Sequence, residues 1–486
     1  MRSLLGVLNI FGSLLSWFAL YFLLPVLTAL LYGEFAPLRG FLIGAAVSVA
    51  GGVLLRLATR RYRYDLKPRD AYLLVTVSWL AIALVATIPL LLDMPGMSFT
   101  RAYFESMSGL STTGATQLQG LDGLPHSINM WRHALSWLGG MGIIVLAVAI
   151  LPLLGVGGMQ LYRAGAPGTV KDAKLAPRIT EAAKALGAVY AGLTAACALA
   201  LWAAGMSLFD AICHAFSTLA LGGFSTHDAN IAYFHSPMIE FVLMLFMLIA
   251  AMNFATHFIA LRRGDFRLYR RDPEARWVLL LILSNCVLIA TFIDIKHVYG
   301  DFFISMRYAA FNVISTATDS GFVSTDYGSW PVFAPLWMLF VGCLCASSGS
   351  TGGGIKMFRS LILIKQSLRE MFTLVHPQAV TPLKIAGQAV PNGVVYSVLA
   401  FIFLYFMTIV ALTFALLISG LDFMTAFSAI VACVNNAGPG LNLVGPAHNY
   451  STLNDFQSWI CIAGMFLGRV EIITFAVLLT PTFWRK

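Results

Sequence analysis

The chain has 486 residues, of which 59% are hydrophobic and 11% are charged, and its formal net charge is +9. Soluble domains carry about 25% charged residues, so this composition excludes an ordinary soluble protein and predicts an all-α polytopic membrane protein. The basic residues concentrate in loops near 60–70, 163–184, 262–276 and 356–384, which the positive-inside rule places in the cytoplasm. Each basic loop adjoins an apolar run, so we expect no nucleic acid partner.

In chain order, about ten apolar runs approach the roughly 20 residues that a membrane span needs. They lie near 4–32, 37–57, 71–92, 127–153, 185–206, 236–261, 277–293, 332–361, 387–419 and 456–480. The first run is too long for a signal-peptide core of about 7–15 residues, so we expect a retained span. Shorter apolar stretches have the length of re-entrant pore helices. These stretches lie near 100–110, 208–219, 301–317 and 421–434.

The predicted elements repeat. After the first two spans, the order span, short helix, polar loop and span recurs four times, and each basic loop separates one unit from the next. All units therefore share one orientation, whereas inverted-repeat transporters alternate. We expect four parallel membrane–pore–membrane repeats with pseudo-fourfold symmetry about one axis. The predicted divisions are a two-helix extension over 1–70 and repeats over 71–175, 176–270, 271–384 and 385–486.

The polar loops align on Gly114, Gly223, Gly321 and Gly438, at separations of 109, 98 and 117 residues. Rings of backbone carbonyls replace the hydration shell of a cation in potassium channels, and glycine reaches the required conformations without a Cβ clash. Ordinary turns in re-entrant loops are the alternative interpretation. The predicted filter residues are Ser111, Thr112, Thr113, Gly114, Ala220, Leu221, Gly222, Gly223, Thr318, Asp319, Ser320, Gly321, Asn435, Asn436, Ala437 and Gly438.

The run CASSGSTGGGIK, residues 345–356, interrupts the eighth predicted span with glycine. Broken backbone is tolerated in a bilayer only where it is buried in protein or lines a watery cavity. Close helix packing by small residues is a second interpretation. A phosphate-binding loop fits poorly, because Ile355 and not lysine follows Gly354.

Arg469 lies about 13 residues into the last predicted span. A charge at a span centre costs at least about 2.5–3.5 kcal/mol on insertion scales. We therefore expect Arg469 to face an aqueous cavity or a partner. Pairing with loop carbonyls or with a lipid headgroup stays open as an alternative.

The loop sequences STTGAT, LGGFSTHD and NNAGPG resemble the filter loops of the TrkH/TrkG/KtrB/HKT superfamily of potassium and sodium transporters. The two extra N-terminal spans resemble its TrkH-like branch, and the resemblance covers essentially the whole chain. It implies K+ as the transported ion, no organic cofactor on this chain, a homodimer with one pore per subunit and a cytosolic nucleotide-binding (RCK-type) ring as partner. A serine at the first filter glycine is associated with sodium conduction in this superfamily, so Gly114 implies potassium selectivity.

The resemblance also implies that the glycine-rich run is a gate and that the arginine is a positive barrier in the pore. The predicted gating residues are Gly349, Ser350, Thr351, Gly352, Gly353, Gly354 and Arg469. The expected function is gated potassium uptake, without enzymatic activity, across the bacterial cytoplasmic membrane. The basic loops are expected to bind anionic lipid headgroups or an acidic cytosolic partner, with 262–276 as the best docking candidate.

Two other function classes stay open. A potassium symporter coupled to protons or sodium would need an ionisable residue buried on the path, and beyond Asp319 and Arg469 the pattern offers few. An intramembrane enzyme would need a paired aspartate, a Ser/His dyad or a metal cluster in the spans, and the sequence contains no convincing example.

Overall fold

The computed structural model describes residues 2–62, 68–146 and 175–485. Its regular structure is helical, apart from the short antiparallel strands β1 (Lys384–Ile385) and β2 (Gln388–Ala389). The helices are α1 (Arg2–Phe18), α2 (Leu23–Tyr32), α3 (Phe35–Ala58), α4 (Pro68–Asp93), α5 (Phe99–Leu110), α6 (His126–Val145), α7 (Leu175–Ala203), α8 (Leu208–Ala220), α9 (Pro237–Ala250), α10 (Phe254–Arg263), α11 (Leu268–Arg271), α12 (Pro273–Ile295), α13 (Phe302–Ala317), α14 (Phe333–Gly342), α15 (Met357–Val375), α16 (Asn392–Ile418), α17 (Phe423–Asn435), α18 (Asp455–Val470), α19 (Ile472–Leu479) and α20 (Pro481–Trp484).

Six helical segments of the described chain are long and apolar enough to cross a membrane, and up to eight if each of two bent helix pairs is one span. The all-α polytopic prediction is confirmed. Two further predicted spans, near 127–153 and 332–361, contain α6 and α14. The end of the first, and most of the basic loop at 163–184, lie outside the described residues.

Two spans predicted as continuous are broken. The run 236–261 is divided into α9 and α10, which meet at 95°, and the run 456–480 into α18 and α19, which meet at 102°. The second break occurs at Glu471, whose left-handed backbone (φ 64°) cannot continue a right-handed helix. The sequence predicts neither break. Each of the two runs passes as one apolar span, and neither junction contains a proline.

The first break is filled by backbone from another repeat. The chain between α14 and α15, residues 343–356, is non-helical and is called the intramembrane loop below. Ser347 N donates to Ala251 O, and Phe254 N donates to Gly349 O, each at 3.1 Å. Asn253 also caps α10 with its side chain. These bonds satisfy groups that a broken helix would otherwise leave free in the bilayer.

The short helices α5, α8, α13 and α17 correspond to the predicted pore helices. Each begins at a residue whose side-chain oxygen accepts a hydrogen bond from a backbone N–H of the first turn, an arrangement that stabilises a helix start. These capping residues are Ser98, Ser207, Asp301 and Asp422. All four pore helices therefore start in the same way, as repeats would. The predicted boundaries of the extension and the repeats stay a prediction.

Candidate ion pathway

The four predicted filter loops (111–114, 220–223, 318–321 and 435–438) share one backbone conformation. Their last residues are left-handed, with φ between 61° and 82°: Gly114, Gly223, Gly321 and Gly438. The residues two positions earlier are also left-handed, with φ between 53° and 60°: Thr112, Leu221, Asp319 and Asn436. Left-handed residues at alternate positions turn the carbonyl groups between them toward one side, as a carbonyl-lined ion path requires.

The same backbone hydrogen bond joins each filter loop to its pore helix. The residue before the glycine donates to the carbonyl five residues earlier, at 2.8–2.9 Å, as in the Schellman motif that ends many helices. The donors are Thr113, Gly222, Ser320 and Ala437, and the acceptors are Ser108, Ser217, Ser315 and Ala432. In the fourth repeat the accepting carbonyl belongs to Ala432, so this backbone bond does not require a serine at the acceptor position.

The filter loops touch one another in a closed ring. A Cβ added to each glycine would overlap or crowd a carbonyl oxygen of the next loop. In order from Gly114, Gly223, Gly321 and Gly438, these oxygens belong to Gly222, Ser320, Ala437 and Thr113. The contacts pass from loop 1 to loops 2, 3 and 4 and back to loop 1. Residues up to 325 positions apart in the sequence are thus brought into one ring. Four equivalent contacts around this ring give the pseudo-fourfold arrangement.

Side chains beside the ring brace the filter loops from within the protein. Asn436 Nδ2 donates to Thr113 Oγ1 at 3.0 Å, and so joins loop 4 to loop 1. The Tyr405 hydroxyl donates to Asn435 Oδ1 at 2.7 Å. Asp319 is fully buried, and Lys356 and Arg469 are electrostatic neighbours of its carboxylate. The two hydrogen bonds of Asn436 and Asn435 therefore brace loops 1 and 4.

All four filter glycines line one cavity of about 290 Å³. Beside it, His227 Nδ1 lies 2.5 Å from Asp122 Oδ1, and Nε2 lies 3.6 Å from Asp210 Oδ1. Burial lowers the pKa of His227, but the neighbouring carboxylates of Asp210 and Asp122 outweigh burial and raise the pKa above its ordinary value. Through its contact with Asp122, His227 thus ties the outer loops of the first and second repeats together.

A buried ion pair supports the first two filter loops and was not predicted. Arg132 Nε donates to Glu105 Oε1 at 2.7 Å, and both side chains are only 1% exposed. Arg132 also donates to Ser225 O at 3.2 Å, and Thr116 Oγ1 donates to Glu105. The pair connects α5 and α6 to the chain just beyond loops 1 and 2. The sequence feature that could have pointed to this pair is a charged residue inside each of two apolar runs, Glu105 and Arg132.

The intramembrane loop lies against the pore-helix ends, opposite the large cavity. Thr351 Oγ1 donates to Leu219 O at 2.9 Å, at the end of α8. A Cβ on Gly352 would lie 3.1 Å from Thr318 O, and one on Gly353 would overlap Asn435 O. The loop therefore contacts the second, third and fourth pore-helix ends.

Arg469 connects the intramembrane loop to the first repeat. Its Nη1 donates to Thr351 O at 2.9 Å, and its Nη2 donates to Gly139 O at 3.5 Å. Gly139 in turn lies so close to Leu110, at the end of α5, that a Cβ there would overlap the Leu110 carbonyl. On the other side of the loop, Ser348 N donates to Glu274 Oε2. Residues 351–353 and Arg469 are thus brought together with the ends of all four pore helices. Of the other predicted gating residues, Gly349 lies against Asn253 and Gly354 against the Cys343 carbonyl.

A polytopic helical protein whose four pore helices end at one backbone ring is a membrane transport protein by architecture. The chain belongs to the TrkH family, because the family model described as "TrkH: Cation transport protein" matches residues 38–486. Its similarity to Trk proteins confirms the predicted TrkH-like branch and a multi-pass location in the bacterial inner membrane.

Similar proteins cover the whole chain. It is 44% identical over 482 residues to the Trk system potassium uptake protein TrkH of Salmonella typhimurium, covering 99% of each chain. It is 38% identical over 488 residues to the Trk system potassium uptake protein TrkG of Escherichia coli, covering 99% of this chain and 98% of that one. The crystal structure of the potassium transporter TrkH from Vibrio parahaemolyticus superposes with a TM-score of 0.91 at 42% identity, covering 100% of this chain and 99% of that chain.

Proposed function

We propose that this chain takes up potassium across the bacterial inner membrane through the ring of filter loops. The names of its full-length relatives, Trk system potassium uptake proteins, support the transported ion. The observation that carries the proposal is the closed ring, in which each left-handed glycine abuts a carbonyl of the next loop. Such carbonyls replace the hydration shell of potassium, and the helix C-terminal ends behind them favour a cation.

The membrane potential can drive this uptake. A potential of 100 mV is worth about 2.3 kcal/mol for each elementary charge, which corresponds to roughly fortyfold accumulation or slightly more. No second ion is needed for uptake of that size. Glycine at position 114, in place of the serine associated with sodium conduction, supports potassium selectivity.

The intramembrane loop and Arg469 form the gate in this proposal. The loop contacts the inner ends of three filter repeats, and Arg469 bonds both to the loop and to the chain packed against the first pore helix. A guanidinium at this point repels an incoming cation. Glycines at 352 and 353 let the loop lie close to the filter in the observed arrangement, and Gly354 lies against the Cys343 carbonyl at the start of the loop.

The proposed assembly is a homodimer that carries a cytosolic nucleotide-binding (RCK-type) ring, as the family resemblance implies. Exposed arginines on α10, on α11 and in the chain between them support an acidic docking partner for the loop at 262–276. They are Arg262, Arg263, Arg267, Arg270 and Arg271. Anionic lipid headgroups are the other ligand of matching charge.

Cation flux into proteoliposomes of the purified protein tests the transport proposal. Potassium, rubidium and sodium would be compared under an imposed voltage. Potassium- and rubidium-selective flux that follows voltage alone is the expected result. Flux that requires a proton or sodium gradient would contradict the uncoupled pore and establish a symporter, for which buried Asp319 is the ionisable candidate.

Shortening the loop tests the gate separately. Removal of residues 347–354 is expected to raise basal flux, because contacts with the filter repeats and with Arg469 are lost. Unchanged flux in a folded protein would favour a packing role for these small residues.

A further inference from the structure

Two residues with side chains are left-handed at the edges of the proposed gate. Lys356, just before α15, has a φ of 71°, and Glu471, between α18 and α19, has a φ of 64°. This conformation is unfavourable for residues that carry a Cβ, and such strain persists where the surrounding structure holds it in place. The contacts around these two residues show what holds them.

An ion pair between Arg359 and Glu471 links the two strained points. Arg359 Nη2 lies 2.5 Å from Glu471 Oε2, and the side chains are 6% and 12% exposed. The guanidinium also lies 4.0 Å from the ring centroid of Phe401. Arg359 follows Lys356 by three residues, and Glu471 follows Arg469 by two. One ion pair therefore ties the end of the intramembrane loop to the segment that carries the pore arginine.

The pair lines a small cavity that is rich in positive charge. The cavity has a volume of about 30 Å³, and the charged residues in its lining are Lys356, Arg359, Arg469 and Glu471. Three of these are basic, so the Glu471 carboxylate balances cations that would otherwise face one another. Like charges repel strongly in a protein interior of low dielectric. The Glu471 carboxylate offsets this repulsion, together with the Asp319 carboxylate near Lys356 and Arg469, and so stabilises the observed arrangement of loop and arginine.

We propose that Arg359 and Glu471 are positioning residues that couple the intramembrane loop to Arg469, so that both leave the ion pathway in one step. The inference rests on the proposed role of the loop as a gate and adds how its two parts move together. Movement of α15 carries Arg359 and the end of the loop, and the ion pair transmits that movement to Glu471. A signal that reaches α15 thereby acts on both halves of the gate.

Double-mutant analysis of basal flux tests this coupling. Glu471→Gln, Arg359→Gln and the double variant would be purified as full-length protein, and rubidium flux into proteoliposomes would be measured under voltage. Each single variant is expected to raise basal flux about tenfold, equivalent to about 1.4 kcal/mol. The double variant is expected to raise it no further than the stronger single variant, because both remove the same link.

Two readouts distinguish coupling from a general structural defect. The half-saturating potassium concentration and the potassium-to-sodium ratio are expected to stay unchanged, because the filter loops are not altered. Arg359→Lys, which keeps the charge, is expected to restore part of the low basal flux. The matched control is Glu240→Gln, which breaks the 2.8 Å ion pair with Arg307 between α9 and α13 and is expected to leave basal flux unchanged.

Several outcomes would overturn the coupling. If both single variants left basal flux unchanged while removal of 347–354 raised it, the gate would stand and the coupling would be wrong. Multiplicative effects in the double variant would show independent residues and would also overturn it. If the shortened loop had no effect either, the proposed gate itself would fail. Failure of every ion-pair variant to fold, Arg359→Lys included, would assign the pair to folding alone.

Discussion

Substitution of Gly114 by serine places a side chain where filter loops 1 and 2 touch. The backbone there is left-handed, with a φ of 76°, and the new Cβ would overlap the carbonyl oxygen of Gly222 in the next loop. The change therefore acts on two features at once, the local conformation and the closure of the ring. Gly222 can move away only by shifting its own filter loop.

The size of the effect follows from these two costs. A left-handed residue with a Cβ costs about 1–2 kcal/mol, and overpacking in a close-packed site costs about 1–3 kcal/mol. Together, about 2–5 kcal/mol corresponds to roughly 30- to 4,000-fold in the population of the native ring, at 1.4 kcal/mol per tenfold. A distorted ring no longer matches dehydrated potassium, so sodium flux should rise relative to potassium flux.

The assay is the potassium-to-sodium flux ratio of purified Gly114→Ser in proteoliposomes, with thermal unfolding as a check on folding. We expect the ratio to fall by at least about tenfold, which needs only about 1.4 kcal/mol. Gly120→Ser is the matched control, because Gly120 is also left-handed (φ 70°) but has open space around its Cβ position. Its flux ratio should stay unchanged.

An unchanged ratio in folded Gly114→Ser would refute the assignment of these loops as the filter. If that variant did not fold, Gly438→Ala offers a milder test, since its Cβ would lie 2.7 Å from Thr113 O. The same loss of discrimination is expected there, because the contact closes the ring between loops 4 and 1.

The remaining predictions concern the supports of the filter, the gate and the outer loops. Glu105→Gln should lower the free energy of unfolding by about 3–5 kcal/mol, because Arg132 is left with a buried, unpaired charge. Thermal unfolding should show a lower melting temperature, and an unchanged value would count against a supporting role for the ion pair. Gly353→Ala should raise basal rubidium flux, because its Cβ displaces the loop from Asn435 O, and a closed, folded variant would contradict the gate contact. Since the pKa of His227 is raised in the folded protein, its stabilising contribution should be fully present below about pH 6.5 and lost as pH rises through the folded value. Melting temperatures measured against pH should show this loss in the wild type and not in His227→Gln.

The four loops of the proposed filter could be located from the sequence because the features of each loop are local. A short apolar helix, a small or polar residue and a glycine recur at matching offsets in four places, and the structure gives all four glycines one conformation. The supporting ion pairs could not be predicted in the same way. Glu105 and Arg132 are 27 residues apart, and Arg359 and Glu471 are 112 apart. No periodic pattern links such positions, so their pairing depends on how the repeats pack.

The sequence by itself determined the membrane class, the positions of the pore helices and the glycines at their ends. Hydropathy, helix length and the conformational freedom of glycine act over a few neighbouring residues and can be read directly. Only the tertiary structure decided that α9–α10 and α18–α19 bend, and that the intramembrane loop fills the first bend. The reason is physical: a broken helix in a bilayer is stable only when distant backbone satisfies its free hydrogen-bonding groups, and here that backbone comes from another repeat.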